Sequence, residues 1–142
     1  MSNKYIVTWK IVHFFAKKLA LKLSFIRKWN KIIAVSRGGL IPATILGKEL
    51  NIRYIDTICI SSYNQNNNMK NLKIIKKSLL YDKDVLIVDD LVDTGRTAKV
   101  VRNFYKKSYF VTIFAKPIGK FFVDKYIIDI PQNIWVEFPW DI

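Results

Sequence analysis

The sequence predicts an α/β domain, a twisted and mainly parallel sheet with helices on both faces. Three observations carry that expectation. Short β-branched apolar runs alternate with helix-patterned segments along the chain. Two of these runs, Ile32-Ile33-Ala34-Val35 and Val85-Leu86-Ile87-Val88, are uninterrupted, as in strands buried on both faces. Each gives way to small or charged residues, Arg37-Gly38-Gly39 and Asp89-Asp90, at the sheet edge where open α/β folds bind ligands.

In chain order, Tyr5 to Thr8 reads as a short strand. Lys10 to Leu23 reads as an amphipathic helix, with Phe14, Phe15, Leu19 and Leu23 opposite Lys17, Lys18 and Lys22. Its expected use is packing on the sheet, with loose attachment to an anionic membrane surface as the alternative. After the strand ending at Ser36, Leu40 to Leu50 is helical, and Pro42 sits in its first turn, where a missing N–H does no harm. Arg53 to Tyr63 is strand-like, and Leu72 to Lys76 is its neighbour. The polar tract Asn64 to Asn68 between them predicts a mobile loop.

Lys76 to Asp84 forms a solvated turn before the Val85 strand, which is expected to end at Asp89-Asp90. A helix follows from Ala98 to Tyr105. Tyr109 to Ala115 is the next strand, ending at Lys116-Pro117, and Tyr126 to Ile130 is the last, stopped by Pro131. The tail from Trp135 to Trp140 is aromatic and aperiodic. Its tryptophans read as core, or as rings over a planar ligand.

Length and composition exclude several classes of function. A chain of 142 residues with 51% hydrophobic residues suits one folded domain, 1–142. Cys59 is the only cysteine and His13 the only histidine, so neither an internal disulfide nor a cysteine-histidine zinc cluster can be assembled, and a Ser-His-Asp triad would have to rest on His13 alone. A reducing cytoplasm is the expected compartment, since Met1 to Lys4 opens no signal peptide and no apolar run is long enough to span a membrane. The net charge of +13 points to anionic partners. Its lysines are scattered, without the arginine cluster of a groove reader, and the abundance of Lys, Ile and Asn points to AT-rich compositional drift, so drift with a phosphate-rich substrate is favoured over a specific nucleic acid.

The chemistry concentrates in Val85 to Thr97. Asp93-Thr94-Gly95-Arg96-Thr97 places hydroxyls and a permissive glycine in front of a helix. There the outward N–H groups and the helix dipole can cradle a phosphate. Capping alone explains an isolated Asp93, but not two adjacent aspartates with a third three residues on. A sugar phosphate fits the layout, with its hydroxyls near Asp89 and Asp90 and its phosphate in the turn. Arg37 and Gly38 supply a second phosphate-binding strand end, through charge and through close backbone approach.

Val85 to Thr97 resembles the phosphoribosyl-diphosphate signature of the type I phosphoribosyltransferases. Ala34 to Leu40, Asp56 to Tyr63, Phe110 to Pro117, Asp129 to Gln132 and Trp135 to Asp141 resemble, in the same order, the xanthine-guanine branch of the bacterial purine enzymes. The resemblance runs from Lys4 to Asp141. It implies the type I phosphoribosyltransferase fold, with a flexible lid hairpin near 63–71 and a small base-binding hood from about 117–142.

It also implies an activity: transfer of a 5-phosphoribosyl group from 5-phosphoribosyl 1-diphosphate to N9 of guanine or xanthine, and less well of hypoxanthine. Mg²⁺ is the implied cofactor and Asp90 its carboxylate. Asp93, Asp89 and Asp90 carry the catalysis. The sugar diphosphate contacts Arg37, Gly38, Lys70, Asp89, Asp90, Leu91, Val92, Asp93, Thr94, Gly95, Arg96 and Thr97. The purine contacts Asp93, Lys116, Trp135 and Val136. A homotetramer comes with the same resemblance, while weak peripheral attachment to the cytoplasmic face of the inner membrane is the lesser alternative for the amphipathic helix of Lys10 to Leu23.

The pattern departs from its relatives in carrying Lys70 where arginine is favoured and Arg96 where close relatives carry glycine. It also stops at Ile142, where they continue through a short apolar tail. The alternative function on this fold is a nucleic-acid-binding regulator. Asp89, Asp90, Asp93, Lys116 and Trp135 together argue for the enzyme, since a binder needs no such set.

Overall fold

The computed structural model describes residues 3–65, 69–79 and 83–142. Its centre is a six-stranded sheet in the order β4-β3-β2-β5-β6-β7. The strands are β2 (Lys31–Ser36), β3 (Ile55–Gln65), β4 (Met69–Lys76), β5 (Val85–Val92), β6 (Tyr109–Ala115) and β7 (Ile128–Asp129). All neighbours run parallel except β3 and β4, which are antiparallel. The helices are α1 (Trp9–Ser24), α2 (Leu40–Leu50) and α3 (Arg96–Phe104).

Alternation along β5 explains the two covered faces. Leu86 and Val88 point into one core with Ile32, Ala34, Leu19, Leu23 and Leu46, the last three from α1 and α2. Val85 and Ile87 point the other way, onto Ile33, Phe110 and the α3 residues Ala98 and Val101. All four β5 side chains are fully buried, as the unbroken apolar run requires.

A third core joins Val12 and Ala16 of α1 to Ile113, Phe114, Val136 and Phe138. It lies beneath a small second sheet that pairs β1 (Lys4–Ile6) with β8 (Trp135–Glu137) in parallel, Lys4 opposite Trp135. The tail read as aperiodic is therefore partly a strand. Three residues are too few for a period of two to show, and the partner lies at the far end of the sequence.

Other boundaries move for identifiable reasons. Thr8 leaves the first strand and caps α1, its hydroxyl accepting a hydrogen bond from the Ile11 N–H at 3.1 Å. Phe14 lies off the buried stripe of α1, formed by Val12, Ala16, Leu19, Ala20 and Leu23, and is 56% exposed. Helix α3 begins at Arg96, before Ala98. The antiparallel hairpin carries its pairing out to Gln65 and Met69, through residues read as loop. The tip read as mobile, residues 66–68, lies outside the described residues.

Strand β5 does not stop at the aspartates. Its pairing with β2 ends at Ala34 opposite Val88, while its pairing with β6 continues through Asp89 opposite Thr112 to Val92 opposite Ala115. Asp89 and Asp90 thus stand where β2 and β5 part, in the crevice opened by that divergence.

Candidate functional site

Three hollows meet along the carboxyl ends of β2, β5 and β6. The largest is a cleft of about 1020 Å³ between the β2 end, the base of the hairpin and the C-terminal segment. Arg37, Gly38, Asp89, Asp90, Thr97, Trp140 and Asp141 are among its lining residues. The second is a small cradle of about 120 Å³, formed by Asp89 and the continuous stretch Leu91 to Ala98, with Phe110 behind it. The third is a recess of about 280 Å³ lined by Asp90, Leu91, Asp93, Lys116, Trp135, Val136, Phe138 and Asp141.

Each aspartate is a junction between two of these hollows. Asp89 lines the cleft and the cradle, Asp90 the cleft and the recess, and Asp93 the cradle and the recess. A ligand with three arms spreading from a hydroxylated centre would meet a carboxylate at each branch.

Local sequence explains how each part is held. Gly38 lies directly against the Asp90 carboxylate, and a β-carbon there would fall within 2.7 Å of Oδ1 and 2.6 Å of Cγ. The Ser36–Arg37 peptide preceding it is cis. Gly95 caps α3 with φ of 88°, a conformation natural only to glycine, and its Cα abuts the Phe122 ring. The cap leaves the first N–H groups of α3 facing the cradle, as anion binding needs.

The paired aspartates are electrostatically tense. Burial, and then the neighbouring Asp90 charge, push the Asp89 carboxyl well above the usual range. Burial pushes Asp90 up to about 6, opposed by a hydrogen bond with Asp89 and reinforced by the charge of Asp141. Such a pair favours a cation beside it. Among the described residues no group of three or more acids, histidines or cysteines could hold a metal unaided. Two adjacent carboxylates open to a cleft fit Mg²⁺, which takes one or two carboxylates and completes its shell with substrate oxygens and water.

In the recess, the Lys116 side chain is almost wholly buried, 5% exposed, and its Nζ donates a hydrogen bond to Asp93 Oδ2 at 3.3 Å. A buried ammonium needs such a partner. Asp93 Oδ1 accepts a 2.8 Å hydrogen bond from Gln132 Nε2. Trp135 stands 62% exposed at the rim, and Val136 is buried beside it.

The structure therefore gathers Arg37, Gly38, Asp89 to Thr97, Lys116, Trp135 and Val136 around one continuous set of hollows. Lys70 pairs its backbone with Asn64 in the hairpin, and its side chain lies outside the description. Gln132, Trp140 and Asp141 were not assigned to the site from sequence. Trp140 stacks on Phe138 with ring centroids 4.9 Å apart, and Asp141 Oδ2 accepts a hydrogen bond from the Phe138 N–H at 3.0 Å. Their only signal was a place in the resembling stretches Asp129 to Gln132 and Trp135 to Asp141, which assigned them no role.

Comparison with known proteins agrees with this fold. The phosphoribosyl transferase domain matches residues 4–142. A purine phosphoribosyltransferase from Pyrococcus horikoshii superposes with a TM-score of 0.84 at 32% identity, over 99% of this chain and 95% of that one. The xanthine-guanine-hypoxanthine phosphoribosyltransferase of Helicobacter pylori has a TM-score of 0.82 at 23% identity, over 97% and 95%. A Neisseria gonorrhoeae protein solved with bound ppGpp also has a TM-score of 0.82 at 23% identity, over 100% and 91%.

Proposed function

The chain belongs to the phosphoribosyl transferase family, and on that premise we propose that it is a purine salvage enzyme. It would transfer the 5-phosphoribosyl group of 5-phosphoribosyl 1-diphosphate to N9 of guanine or xanthine, and less readily of hypoxanthine. The observation that carries this reading is the junction arrangement. The sugar would lie over Asp89 and Asp90, its 5-phosphate in the cradle, its diphosphate in the cleft and the base in the recess.

The division of labour follows from the chemistry of each hollow. Arg37 and the Gly38 amide hold the diphosphate, and Lys70 is the expected lid contact. The amides and hydroxyls of Thr94 to Thr97 bind the 5-phosphate. Asp89 and Asp90 take the ribose hydroxyls, with Asp90 on the metal side. Mg²⁺, when bound, would neutralise charge on the diphosphate that leaves.

Lys116 donates to the purine O6, Trp135 covers the ring, and the Val136 carbonyl meets the exocyclic edge. Asp93 faces N7 and accepts the proton the base gives up as N9 attacks the anomeric carbon. Most of the rate enhancement in such a displacement comes from positioning and from preorganised charge.

Apolar side chains left outside on α1, Trp9, Phe14 and Leu21, lie among Lys10, Lys17, Lys18 and Lys22. They support self-association, with a homotetramer as the expected state, or weak contact with an anionic membrane surface. Among the described residues no helix is long and apolar enough to cross a membrane.

The test of function is direct. Purified protein, Mg²⁺ and 5-phosphoribosyl 1-diphosphate are incubated with guanine, xanthine, hypoxanthine or adenine in turn. Nucleotide and diphosphate are expected from the 6-oxopurines, with little from adenine. No product from any 6-oxopurine overturns the proposal.

A further inference from the structure

We propose that Gln132 is the positioning residue of Asp93, fixing which carboxylate oxygen faces the base. Asp93 follows the last residue of β5, and its side chain is 48% exposed. An aspartate so placed has two free torsions and would spread over several rotamers. Gln132 removes that freedom. Its Nε2 donates to Asp93 Oδ1 at 2.8 Å and to the Asp93 main-chain carbonyl at 3.3 Å.

The direction of the Gln132 amide is itself determined. Its Oε1 accepts the Ile118 N–H at 2.9 Å, so a flipped amide would set donor against donor. One side chain thus ties together the loops that follow β5, β6 and β7. Two further contacts hold the same loops in register: Lys116 N–H donates to the Val92 carbonyl at 2.9 Å, and Ile130 N–H to the Ala115 carbonyl at 2.9 Å. Gly119 leaves room for the approach, since a β-carbon there would lie 2.7 Å from the Asp93 carbonyl oxygen. Gln132 does not line the recess, so contact with the base does not account for it. With Oδ1 taken by Gln132, Oδ2 beside Lys116 is left to meet the purine.

The inference rests on the purine-transfer reading. It also differs from a plain structural role, in which Gln132 only secures the Ile118 N–H. Gln132→Glu separates the two, because a glutamate keeps the volume and the acceptor but loses the donor to Asp93. Steady-state kinetics with guanine should show kcat lowered at least about tenfold in Gln132→Glu and in Gln132→Leu. KM for the sugar diphosphate should stay within about twofold. Either substitution made on top of Asp93→Asn should cost little more, since both act through one group.

Wild-type kcat in Gln132→Glu overturns the inference, as does a full additional loss on top of Asp93→Asn. Wild-type protein that makes no nucleotide from any 6-oxopurine overturns the underlying reading instead.

Discussion

Gly38 and Asp90 lie in such close apposition that a single added methyl group at position 38 would collide with the carboxylate opposite. The end of β2 and the divergence point of β5 are thereby locked in register. The carboxylate proposed for the metal side is placed against the backbone proposed for the diphosphate.

Gly38→Ala must displace Asp90, because a carboxylate held by its own strand cannot yield without turning away from the cleft. Activity should fall at least about a hundredfold and the melting temperature by about 3 °C or more, the effect of at least about 1 kcal/mol of overpacking, read by kinetics and thermal unfolding side by side. Alanine activity within about threefold of wild type would contradict the assigned contact.

The raised Asp89 and Asp90 carboxyls make a prediction whose sign can be worked out. A carboxyl whose folded pKa exceeds its unfolded value favours the fold while protonated. Stability is lost as pH rises from the unfolded value near 3.8 through about 6 for Asp90. Asp90→Asn should therefore raise the melting temperature near pH 7.5 by about 3 °C, the effect of about 1 kcal/mol in a domain of this size. It should leave the value near pH 4 almost unaltered, while abolishing most turnover. A lower melting temperature at pH 7.5 would show that the pair is not a source of strain.

Asp56 carries the opposite sign. Hydrogen bonds from Lys76 and then Ser78 lower its carboxyl to about 2. That group contributes stability above pH 3.8, which is lost as pH falls through about 2. Lys76→Met removes the strongest of those bonds. The difference in melting temperature between wild type and this variant should narrow steadily between pH 5 and about pH 2. A constant difference would show that Lys76 acts through packing alone.

Lys116→Met would leave the recess without a cation and strip Asp93 Oδ2 of its donor. Hydrogen bonds to charged groups are worth about 1.5–3 kcal/mol, so KM for guanine should rise tenfold or more. KM for 5-phosphoribosyl 1-diphosphate should barely move. Equal rises for both substrates would place Lys116 in a general structural role.

What could be read from the sequence was what the chain encodes locally. Val85 to Thr97 holds its strand, its carboxylates and its phosphate turn within one short stretch, so composition and order suffice. Arg37-Gly38 and Lys116 were legible as strand ends. Gln132 was not, because its meaning depends on Asp93 and Ile118, which approach it only in three dimensions. The pairing of β1 with β8 escaped for the same reason, as did the exposed setting of Phe14, where hydrophobicity alone suggested burial. The extension of β5 past its aspartates is decided by a register with β6 that no single strand reveals.

The β1–β8 ladder has a consequence for the order in which the molecule is made. Residues 4–6 are synthesised long before 135–137 and have no strand partner until those residues emerge. The phosphate cradle can assemble from residues 89–110, which precede that second strand. The wall that carries Trp135 and Val136 cannot. The place for a base is finished only when β8 reaches β1, a pairing that spans nearly the whole of the described sequence.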